Sequence, residues 1–279
     1  MIIPNLWHVD SVISALRHDG VNALHVLSDF DRTLTHGTIW GTKTPSLISL
    51  LRDGEHLSQD YPARALSLFG KYHPIEIDPD IPIEEKKTIM KIWWYEHFSL
   101  MIECGLKKDD IFDVIKKSHL KLRDYVDVTL QLLKKNDVPF IIISAGAIGE
   151  AIPLFLASQW LDFPNISYIC NHFEWDERWY AKAIREPIIH VFNKDEATIR
   201  EMPTIHDRIA ERKNIILIGD SLWDLGMSDG CEYENILRIG FLNSEDREIK
   251  KDFIKNFDVI IEWDGDFSFV KECLENILN

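Results

Sequence analysis

Three short, predominantly apolar runs constrain the fold of this chain most strongly. They cover Leu24 to Ser28, Phe140 to Ser144 and Ile215 to Gly219, and none of them alternates between apolar and polar residues. Continuous runs of this length are typical of strands buried on both faces, as in a parallel sheet covered by helices. Helical patterns at 124–135 and 205–213 precede the second and third runs. We therefore predict an α/β protein with crossover connections between parallel strands.

Two acids follow the first run. Asp29 and Asp31 are separated by one residue, and Thr33 lies two positions further along. Residues i and i+2 of a strand share a face, so both carboxylates can point at one place, where a shared cation would offset their repulsion. An isolated Asp-x-Asp is also typical of a strand that ends in an Asx-turn, so this pair alone does not define a site.

Two more acids follow the third run. Asp220 comes directly after the strand, and Asp224 lies four residues later, about one helical turn away. Open parallel sheets bind ligands at the carboxyl ends of their strands, and Mg²⁺ prefers hard oxygen ligands together with substrate phosphate. Asp29, Asp220 and the main-chain carbonyl of Asp31 could form such a set. Asp224 is either an indirect, water-mediated partner of the metal or a helix N-terminal acid favoured by the helix dipole.

Two further segments offer groups that suit an anion. Ser144 begins a run of small residues that ends at Gly149, and its hydroxyl and the flexible backbone amides around it can approach phosphate oxygens closely. Lys194 could neutralise a phosphate and the negative charge that develops during its transfer, although a single lysine is more often a solvated surface residue. The order of these segments along the chain, together with the acids, indicates a phosphate site.

A long segment separates the first two strands. It runs from about residue 36 to 122, which is far longer than a crossover needs. We predict that it is a mainly helical cap, inserted into a core formed by residues 1–35 and 123–279. Helical periodicity extends from Ile83 through Ser118 and begins near Pro82.

The remaining patterns are expected to be structural. Residues 165–193 predict a small β excursion in which Ile188 to Phe192 form a strand. The C-terminal third predicts two more strands, Ile236 to Gly240 and Phe257 to Ile261, and a closing helix from Phe267.

The composition limits the possible partners. The chain has 279 residues, 46% of them hydrophobic, which is ample for one large domain or for a core with a smaller second domain. Lys and Arg number 31 against 46 Asp and Glu, and the formal net charge is −15. This charge repels a polyanion, so we do not expect a nucleic acid polymer as a partner. A small anionic substrate remains compatible if a local cation and backbone amides bind it.

The cysteines and the N-terminus indicate the compartment. Four cysteines lie far apart, without the spacing of a zinc site or a redox pair, and we expect buried, reduced thiols at Cys104, Cys170, Cys231 and Cys273. The N-terminus lacks a basic segment followed by an apolar core, and no apolar run approaches the roughly 18 residues that would span a bilayer. We therefore expect a cytosolic protein with no membrane partner.

The four site segments together resemble the motifs of the haloacid dehalogenase superfamily of phosphohydrolases. These segments are Asp29-Phe-Asp-Arg-Thr-Leu34, the strand-terminal Ser144, Lys194 and Gly219-Asp-Ser-Leu-Trp-Asp224. More narrowly, the chain resembles the cytosolic pyrimidine 5′-nucleotidase (type III) family from about Leu24 to Leu242. The stretches that carry this resemblance are Tyr72 to Pro79, Ile143 to Gly146, His190 to Lys194 and Ile218 to Gly230.

The resemblance implies a Rossmann-like core, a helical cap and Mg²⁺-dependent hydrolysis of nucleoside monophosphates. It implies that Asp29 is the nucleophile, which forms an aspartyl-phosphate, and that Asp31 is the general acid and base. Mg²⁺ would be held by Asp29, Asp31 and Asp220. The phosphate would be held by Ser144, the Ala145 amide and Lys194, with Thr33 as a further member of the phosphate-binding set.

The resemblance also assigns a substrate-reading residue in the cap, Glu76, whose carboxylate could accept a hydrogen bond from a cytosine amine. An exposed cap acid is the alternative for Glu76. Trp93, Trp94 and Tyr95 could stack on a base, although aromatic residues at helical spacing are more often core. The sequence departs from the family at Ile92, where a Glu is expected, and near His97, where a Ser is expected, so base preference is less well specified than phosphate chemistry. Arg32 also stands where the family usually has a smaller or apolar residue.

Other functions share parts of this pattern. A phosphoserine-type or sugar-phosphate hydrolase would keep the core and differ in the cap, and phosphotransfer to a nucleoside would need the same residues. A non-catalytic binding protein of this fold is disfavoured because Asp31, the acid and base, is retained. The sequence does not indicate the oligomeric state.

Overall fold

The computed structural model describes residues 1–194, 202–230 and 232–278. Its strands, numbered in chain order, are β1 Leu24–Ser28, β2 Thr38–Ile39, β3 Thr42–Lys43, β4 Phe140–Ile148, β5 Ile166–Trp175, β6 Ala181–Arg185, β7 Asn214–Gly219, β8 Asn235–Leu242 and β9 Val259–Glu262. Its helices are α1 Leu6–Asp19, α2 Leu47–Asp53, α3 Tyr61–Ile77, α4 Ile83–Glu103, α5 Lys108–Lys117, α6 Val126–Lys135, α7 Ala151–Ser158, α8 Pro203–Ile209, α9 Arg247–Asn256 and α10 Ser268–Leu278.

A seven-stranded sheet lies at the centre, in the order β6-β5-β4-β1-β7-β8-β9. Every neighbouring pair is parallel except β5 with β6. The predicted α/β architecture with a mostly parallel sheet is confirmed. β1 lies between β4 and β7, so the three strands predicted to carry site residues are direct neighbours.

The continuous apolar character of these strands follows from their burial on both faces. Val26, Ile142 and Ile216 belong to one apolar cluster. Their neighbours along the chain, such as Leu27 and Leu217, belong to a second cluster. Successive side chains of a strand point to opposite faces, so each strand must be apolar throughout to supply both clusters. Helices α1, α6 and α10 cover the first cluster, and α8 and α9 cover the second.

The segment between β1 and β4, which we call the insertion (residues 36–122), contains the β2–β3 hairpin and helices α2 to α5. Its two ends leave the core side by side, because Thr35 forms a bridge with Leu122 and the His36 amide donates to the Lys121 carbonyl at 3.0 Å. The helical pattern over Ile83–Ser118 forms two helices, separated near Gly105. Apolar residues of α2 and α4 join the same cluster as β1 and β4, so the insertion shares the main hydrophobic core.

The predicted strand over Ile188–Phe192 is wrong, since these residues form an irregular turn. Side-chain amides take the place of a partner strand here. Asn171 Oδ1 accepts from the Ile189 amide at 2.8 Å, and Asn193 Nδ2 donates to the Ile188 carbonyl at 2.8 Å. The other predicted C-terminal strands and the closing helix are present as β8, β9 and α10.

Within the described residues, helices α1, α7 and α9 were not predicted, and α2 and α3 were expected only as part of a mainly helical cap. For α1 a signal existed, because Val9, Val12 and Leu16 are buried on one face and Asn5 caps the helix by accepting from the His8 amide at 3.1 Å. The spacing of these apolar residues is that of an amphipathic helix.

Cys104, Cys170 and Cys273 are buried free thiols, as expected, and burial raises the pKa of Cys170 to about 12. Cys231 lies outside the described residues. Across the part of the chain that the structure describes, the helices are too short or too polar to span a bilayer.

Acid should destabilise this fold through a histidine inside the central strand. Burial lowers the pKa of His25 from 6.5 to about 4. Between these values the unfolded chain binds a proton that the folded chain does not, so stability is lost as the pH falls from 6.5 towards 4. The contribution is roughly 3 kcal/mol at about 1.4 kcal/mol per pH unit. We expect the free energy of unfolding of His25→Leu to fall less steeply over this window, as measured by urea denaturation at a series of pH values.

The matched control is His18→Leu, at an exposed position at the end of α1. It should keep the wild-type pH dependence. Equal slopes for His25→Leu and wild type would contradict the assignment.

Candidate active site

Asp29 is the first residue after β1, and its side chain lies at the carboxyl edge of the sheet. Its amide donates to the Ile218 carbonyl at 3.0 Å, which continues the ladder between β1 and β7 by one residue. Both carboxylate oxygens are bonded: Thr33 Oγ1 donates to Oδ2 at 3.1 Å, and Lys194 Nζ donates to Oδ1 at 2.5 Å. The structure thus brings Thr33 and Lys194, two of the predicted site residues, into contact with Asp29.

The chain turns tightly after Asp29. Arg32 adopts a left-handed conformation with φ of 62°, and its amide donates to Thr35 Oγ1 at 2.8 Å. The Thr33 amide donates to the Phe30 carbonyl at 3.3 Å. This turn brings the Thr33 hydroxyl back to Asp29, which explains why the two residues are spaced four apart in the sequence.

Asp31 is buried beside the backbone of the strand that carries Ser144. Its Oδ2 atom lies where a side chain on Gly146 would be, only 2.6 Å from the position of an added Cβ. Its Oδ1 atom has no hydrogen-bond partner among the residues described. Burial, reinforced by the charge of Asp29, raises the pKa of Asp31 to about 7. A carboxyl group of this kind can exist in both protonation states near neutral pH.

Ser144 and Ala145 lie in an irregular part of β4. Ile143 pairs with Ile169 and Ile148 with Asn171, so four residues of β4 stand opposite one residue of β5. Asn171 Nδ2 supports this bulge by donating to the Ala145 carbonyl at 3.1 Å. The Ser144 hydroxyl is buried and, within the described ranges, has no partner. Bulges commonly direct groups away from the ladder and towards a site.

Lys194 joins two of the predicted acids. Its Nζ atom donates to Asp29 at 2.5 Å and to Asp224 at 2.9 Å, and all three side chains are buried. Burial alone would lower the pKa of Lys194, but the carboxylates of Asp224 and Asp29 outweigh it and raise the pKa above its ordinary value. The lysine is therefore a permanent cation in the site and not a solvated surface residue.

Three hydrogen bonds hold the carboxylate of Asp224. One oxygen accepts from Lys194, and the other accepts from the amides of Asp220 and Ser221, both at 3.0 Å. Gly219 permits this arrangement, because an added Cβ there would lie 2.4 Å from the Cβ of Asp224. With both oxygens occupied, Asp224 supports Lys194 and the turn after β7.

Asp220 lies beside these residues, and its carboxylate oxygens remain able to coordinate a metal ion. Carboxylate oxygens of Asp29, Asp220 and Asp224 lie within 4.8 Å of one another. Burial raises the pKa of Asp220, so an adjacent cation would stabilise its charged form. A set of hard oxygen ligands at this spacing fits Mg²⁺, and Asp220 accepts fewer hydrogen bonds than Asp29 or Asp224.

Glu76 is not bonded to this cluster. It lies in the last turn of α3, where its carboxylate is 2.8 Å from His73 Nδ1. Its main chain is tied to α4 through Lys86, whose Nζ atom donates to the Glu76 carbonyl at 2.9 Å. The same Nζ atom lies 5.6 Å from the ring centre of Phe192 and 5.9 Å from that of Trp223. These rings precede Lys194 by two residues and Asp224 by one, so Glu76 stands near the loops of the site.

The two cap positions that depart from the resembled family have different environments. Ile92 is 48% exposed on α4. His97 is half-buried, and its Nε2 atom lies 3.0 Å from the hydroxyl of Tyr61. Burial lowers the pKa of His97 to about 4, so the imidazole is neutral at physiological pH.

Two residues that support the site were not predicted, Arg123 and Asn243. Arg123 is 1% exposed and donates to the carbonyls of Thr33 at 3.0 Å and of Arg32 at 2.7 Å. Asn243 donates to Asp220 Oδ2 at 3.3 Å. The sequence carried no local signal for either residue, because their partners lie 23 to 91 positions away.

Comparisons with known proteins identify the family of the chain. The family model described as Pyrimidine 5′-nucleotidase (UMPH-1) matches residues 32–278. The chain belongs to the pyrimidine 5′-nucleotidase family. It is therefore a phosphoric monoester hydrolase of the haloacid dehalogenase superfamily, as the motifs indicated.

Individual relatives of this nucleotidase are similar over nearly their whole length. The 7-methylguanosine phosphate-specific 5′-nucleotidase of Gallus gallus is 32% identical over 97% of this chain and 93% of its own. The Homo sapiens protein of the same name is 31% identical over 97% and 90%. The crystal structure of cytosolic 5′-nucleotidase IIIB bound to cytidine matches with a TM-score of 0.89 at 27% identity, over 99% of this chain and 93% of that one.

A more distant structure shows how widely the fold is shared. A substrate-bound phosphoserine phosphatase matches this nucleotidase with a TM-score of 0.51 at 16% identity, over 91% of this chain and 97% of that one. At this identity the match concerns the fold alone.

The contact between Asp31 and Gly146 can be tested by adding one methyl group at position 146. Gly146→Ala should push the Asp31 carboxyl from its place, and a displacement of about 1 Å at a reacting group can cost about 100-fold in rate. We expect kcat on a phosphomonoester to fall by this order while the thermal midpoint changes little.

Gly226→Ala is the matched control, since the nearest atom to an added Cβ there is 3.6 Å away. It should keep the wild-type rate. A Gly146→Ala enzyme with unchanged kcat would show that Asp31 is not positioned by this contact.

Proposed function

We propose that this nucleotidase hydrolyses nucleoside 5′-monophosphates with Mg²⁺, through a covalent aspartyl-phosphate on Asp29. The observation that carries the proposal is the orientation of the Asp29 carboxylate, which Thr33 and Lys194 fix from two sides at the edge of the sheet. A carboxylate held in this way can attack a phosphorus atom in line while its own charge is offset.

In the first step an oxygen of Asp29 forms a bond to phosphorus and the bond from phosphorus to the ribose oxygen breaks. Asp31 gives its proton to that leaving oxygen. The pKa of about 7 supports this role, because a protonated carboxyl group must be available near neutral pH.

In the second step water attacks the phosphorus atom, and the bond to Asp29 breaks. Asp31, now ionised, accepts the proton of the attacking water. The cycle returns both carboxyl groups to their starting states and releases inorganic phosphate.

The phosphoryl oxygens would be bound by the Ser144 hydroxyl, the Ala145 amide and Lys194. Ser144 suits this role because its buried hydroxyl has no partner within the described residues. Asp29, the Asp31 carbonyl and Asp220 would hold Mg²⁺, which when bound supplies positive charge between the nucleophile and the phosphate.

We propose a division into a catalytic core of residues 1–35 and 123–279 and a substrate-selecting cap formed by the insertion, residues 36–122. The adjacent entry and exit of the insertion support these boundaries. Glu76 would accept a hydrogen bond from an amine of the base, as a cytosine amine could donate.

The aromatic side chains of the insertion favour a second candidate substrate, 7-methylguanosine monophosphate. The rings of Tyr72, Trp93, Trp94 and His97 follow one another, with successive centroids 5.8, 6.1 and 6.2 Å apart. A methylated guanine carries positive charge, and indole faces attract cations. The names of the Gallus gallus and Homo sapiens relatives support the same substrate.

We further propose a cytosolic location, because the Caenorhabditis elegans relative is named a putative cytosolic 5′-nucleotidase 3 and the matching crystal structure is of a cytosolic enzyme. We propose no nucleic acid polymer and no membrane as partners.

Phosphate release from a panel of phosphomonoesters tests the function. The panel contains CMP, UMP, 7-methyl-GMP, phosphoserine, a sugar phosphate and p-nitrophenyl phosphate, each with Mg²⁺ and with EDTA. Release that requires Mg²⁺ and favours the three nucleotides is expected. Preference for phosphoserine or the sugar phosphate would overturn the nucleotidase proposal, and activity in EDTA would overturn the metal dependence.

Substitution of the acids separates their roles. Asp29→Asn should abolish turnover, Asp31→Asn should lower kcat by about 10² to 10⁴, and Asp220→Asn should raise the Mg²⁺ concentration needed for half-maximal rate. Asp10→Asn, at an exposed position of α1, is the control and should leave all three quantities unchanged. Full activity of Asp29→Asn would rule out the covalent intermediate.

Replacement of Glu76 tests base recognition. Glu76→Gln should lower kcat/KM for nucleotides by about tenfold, because a charged acceptor is lost, and should leave p-nitrophenyl phosphate hydrolysis near wild type. Glu84→Gln, an exposed acid at the start of α4, is the matched control. Equal losses on both substrates for Glu76→Gln would show that Glu76 does not contact the base.

A further inference from the structure

Asn243 directly follows β8, the neighbour of β7, and Asp220 directly follows β7. Gly219 pairs with Gly240 in the register of β7 and β8. The residues that follow the two strands are therefore neighbours at the edge of the sheet where the site lies.

The side-chain amide of Asn243 makes three hydrogen bonds. Its Nδ2 atom donates to Asp220 Oδ2 at 3.3 Å and to the Arg32 carbonyl at 3.0 Å. Its Oδ1 atom accepts from Arg123 Nη2 at 2.8 Å. Arg123 can only donate, so Oδ1 must face it and the NH₂ group must face Asp220. The orientation of this amide is thereby decided by chemistry.

Arg123 is in turn held firmly. Its guanidinium donates to the Gly265 carbonyl at 2.7 Å and lies over the ring of Phe241, 4.3 Å from its centre. Burial lowers the pKa of Arg123 to about 10, which keeps it charged at neutral pH. Asn243 thus connects Asp220 to a rigid, buried support.

The same amide also contacts the first linker of the insertion. An added Cβ on Gly37 would lie 2.3 Å from Asn243 Oδ1, so the linker passes directly over it. Asp264, 3.4 Å from Arg123, accepts from the Gly37 amide at 2.6 Å and from Thr38 Oγ1 at 2.7 Å. These bonds set the distance between the linker and the metal-binding edge.

We infer that Asn243 is a positioning residue for the metal-binding carboxylate Asp220, acting through its hydrogen bond to Oδ2. The inference rests on the proposed metal site. Residues that hydrogen-bond a ligating carboxylate fix its orientation, and their loss typically costs about 10- to 100-fold in metal affinity. Asn243 also holds the Arg32 carbonyl, one peptide away from the Asp31 carbonyl, and so orients two of the three proposed ligands.

The test is binding of Mn²⁺ alone, measured from the electron paramagnetic resonance signal of the free ion. Asn243→Leu keeps the size of the side chain and removes its hydrogen bonds. We expect its Kd for Mn²⁺ to be about 10- to 100-fold higher than that of wild type. Activity should recover as Mg²⁺ is raised in proportion, which a purely structural defect would not show.

Asn235→Leu is the matched control at the other end of the same strand. Asn235 also donates to a carboxylate, Asp19 Oδ2 at 3.2 Å, but far from the site. It should bind Mn²⁺ as wild type does. Asn243→Ala, which creates space without a new apolar group, provides a second variant and should give the same rise in Kd.

The outcomes separate this inference from the proposed function. If wild type binds Mn²⁺ and both Asn243 variants bind it equally well, Asn243 does not position Asp220, although the metal site stands. If wild type binds no Mn²⁺, the proposed metal site is wrong and the role of Asn243 falls with it.

Discussion

The rest of the site depends on the ion pairs that Lys194 forms with Asp29 and Asp224. Asp29 and Asp224 are buried carboxylates that follow neighbouring strands, and without a cation between them they would repel. Lys194 contacts both, at 2.5 and 2.9 Å, and removing one partner of such a buried set typically costs about 3 to 5 kcal/mol. This arrangement also separates the acids by role. The carboxylate oxygens of Asp224 accept hydrogen bonds from Lys194 and two amides, whereas the carboxylate of Asp220 remains able to bind a further cation.

The site residues that could be predicted are those that lie at the ends of strands. Asp29 and Asp220 each follow a strand whose apolar character is visible in the sequence, and Ser144 follows the regular, apolar part of β4. Burial on both faces makes that character continuous. The parallel order of β4, β1 and β7 then brings the three residues together. Lys194 follows an irregular turn and not a strand, so it was predicted only from its place in a set of motifs.

The residues that were missed act at long range. Arg123 and Asn243 bind carbonyls and side chains far away in the sequence, and such pairs leave no periodic pattern. The strand predicted at Ile188–Phe192 failed for a related reason. Most of its residues are buried and apolar, as in a strand, but Asn171 and Asn193 satisfy peptide groups of this segment. Local patterns report burial well, but they do not report which groups satisfy the backbone.

The residues of the insertion lie on different elements from the catalytic residues. This separation affects how the substrate preference of the enzyme can change. The site acids arise from fully buried strands, whereas Glu76, Trp94 and His97 arise from α3 and α4. Of the two departures from the resembled family that lie in the insertion, Ile92 is half-exposed and alters a surface of α4. His97 is a half-buried, neutral imidazole that is hydrogen-bonded to Tyr61 and stacked beside Trp94. A different hydrogen-bonding group among the stacked rings alters which base the rings can bind. The position of His97 is therefore where a shift in base preference would arise without disturbing phosphoryl transfer.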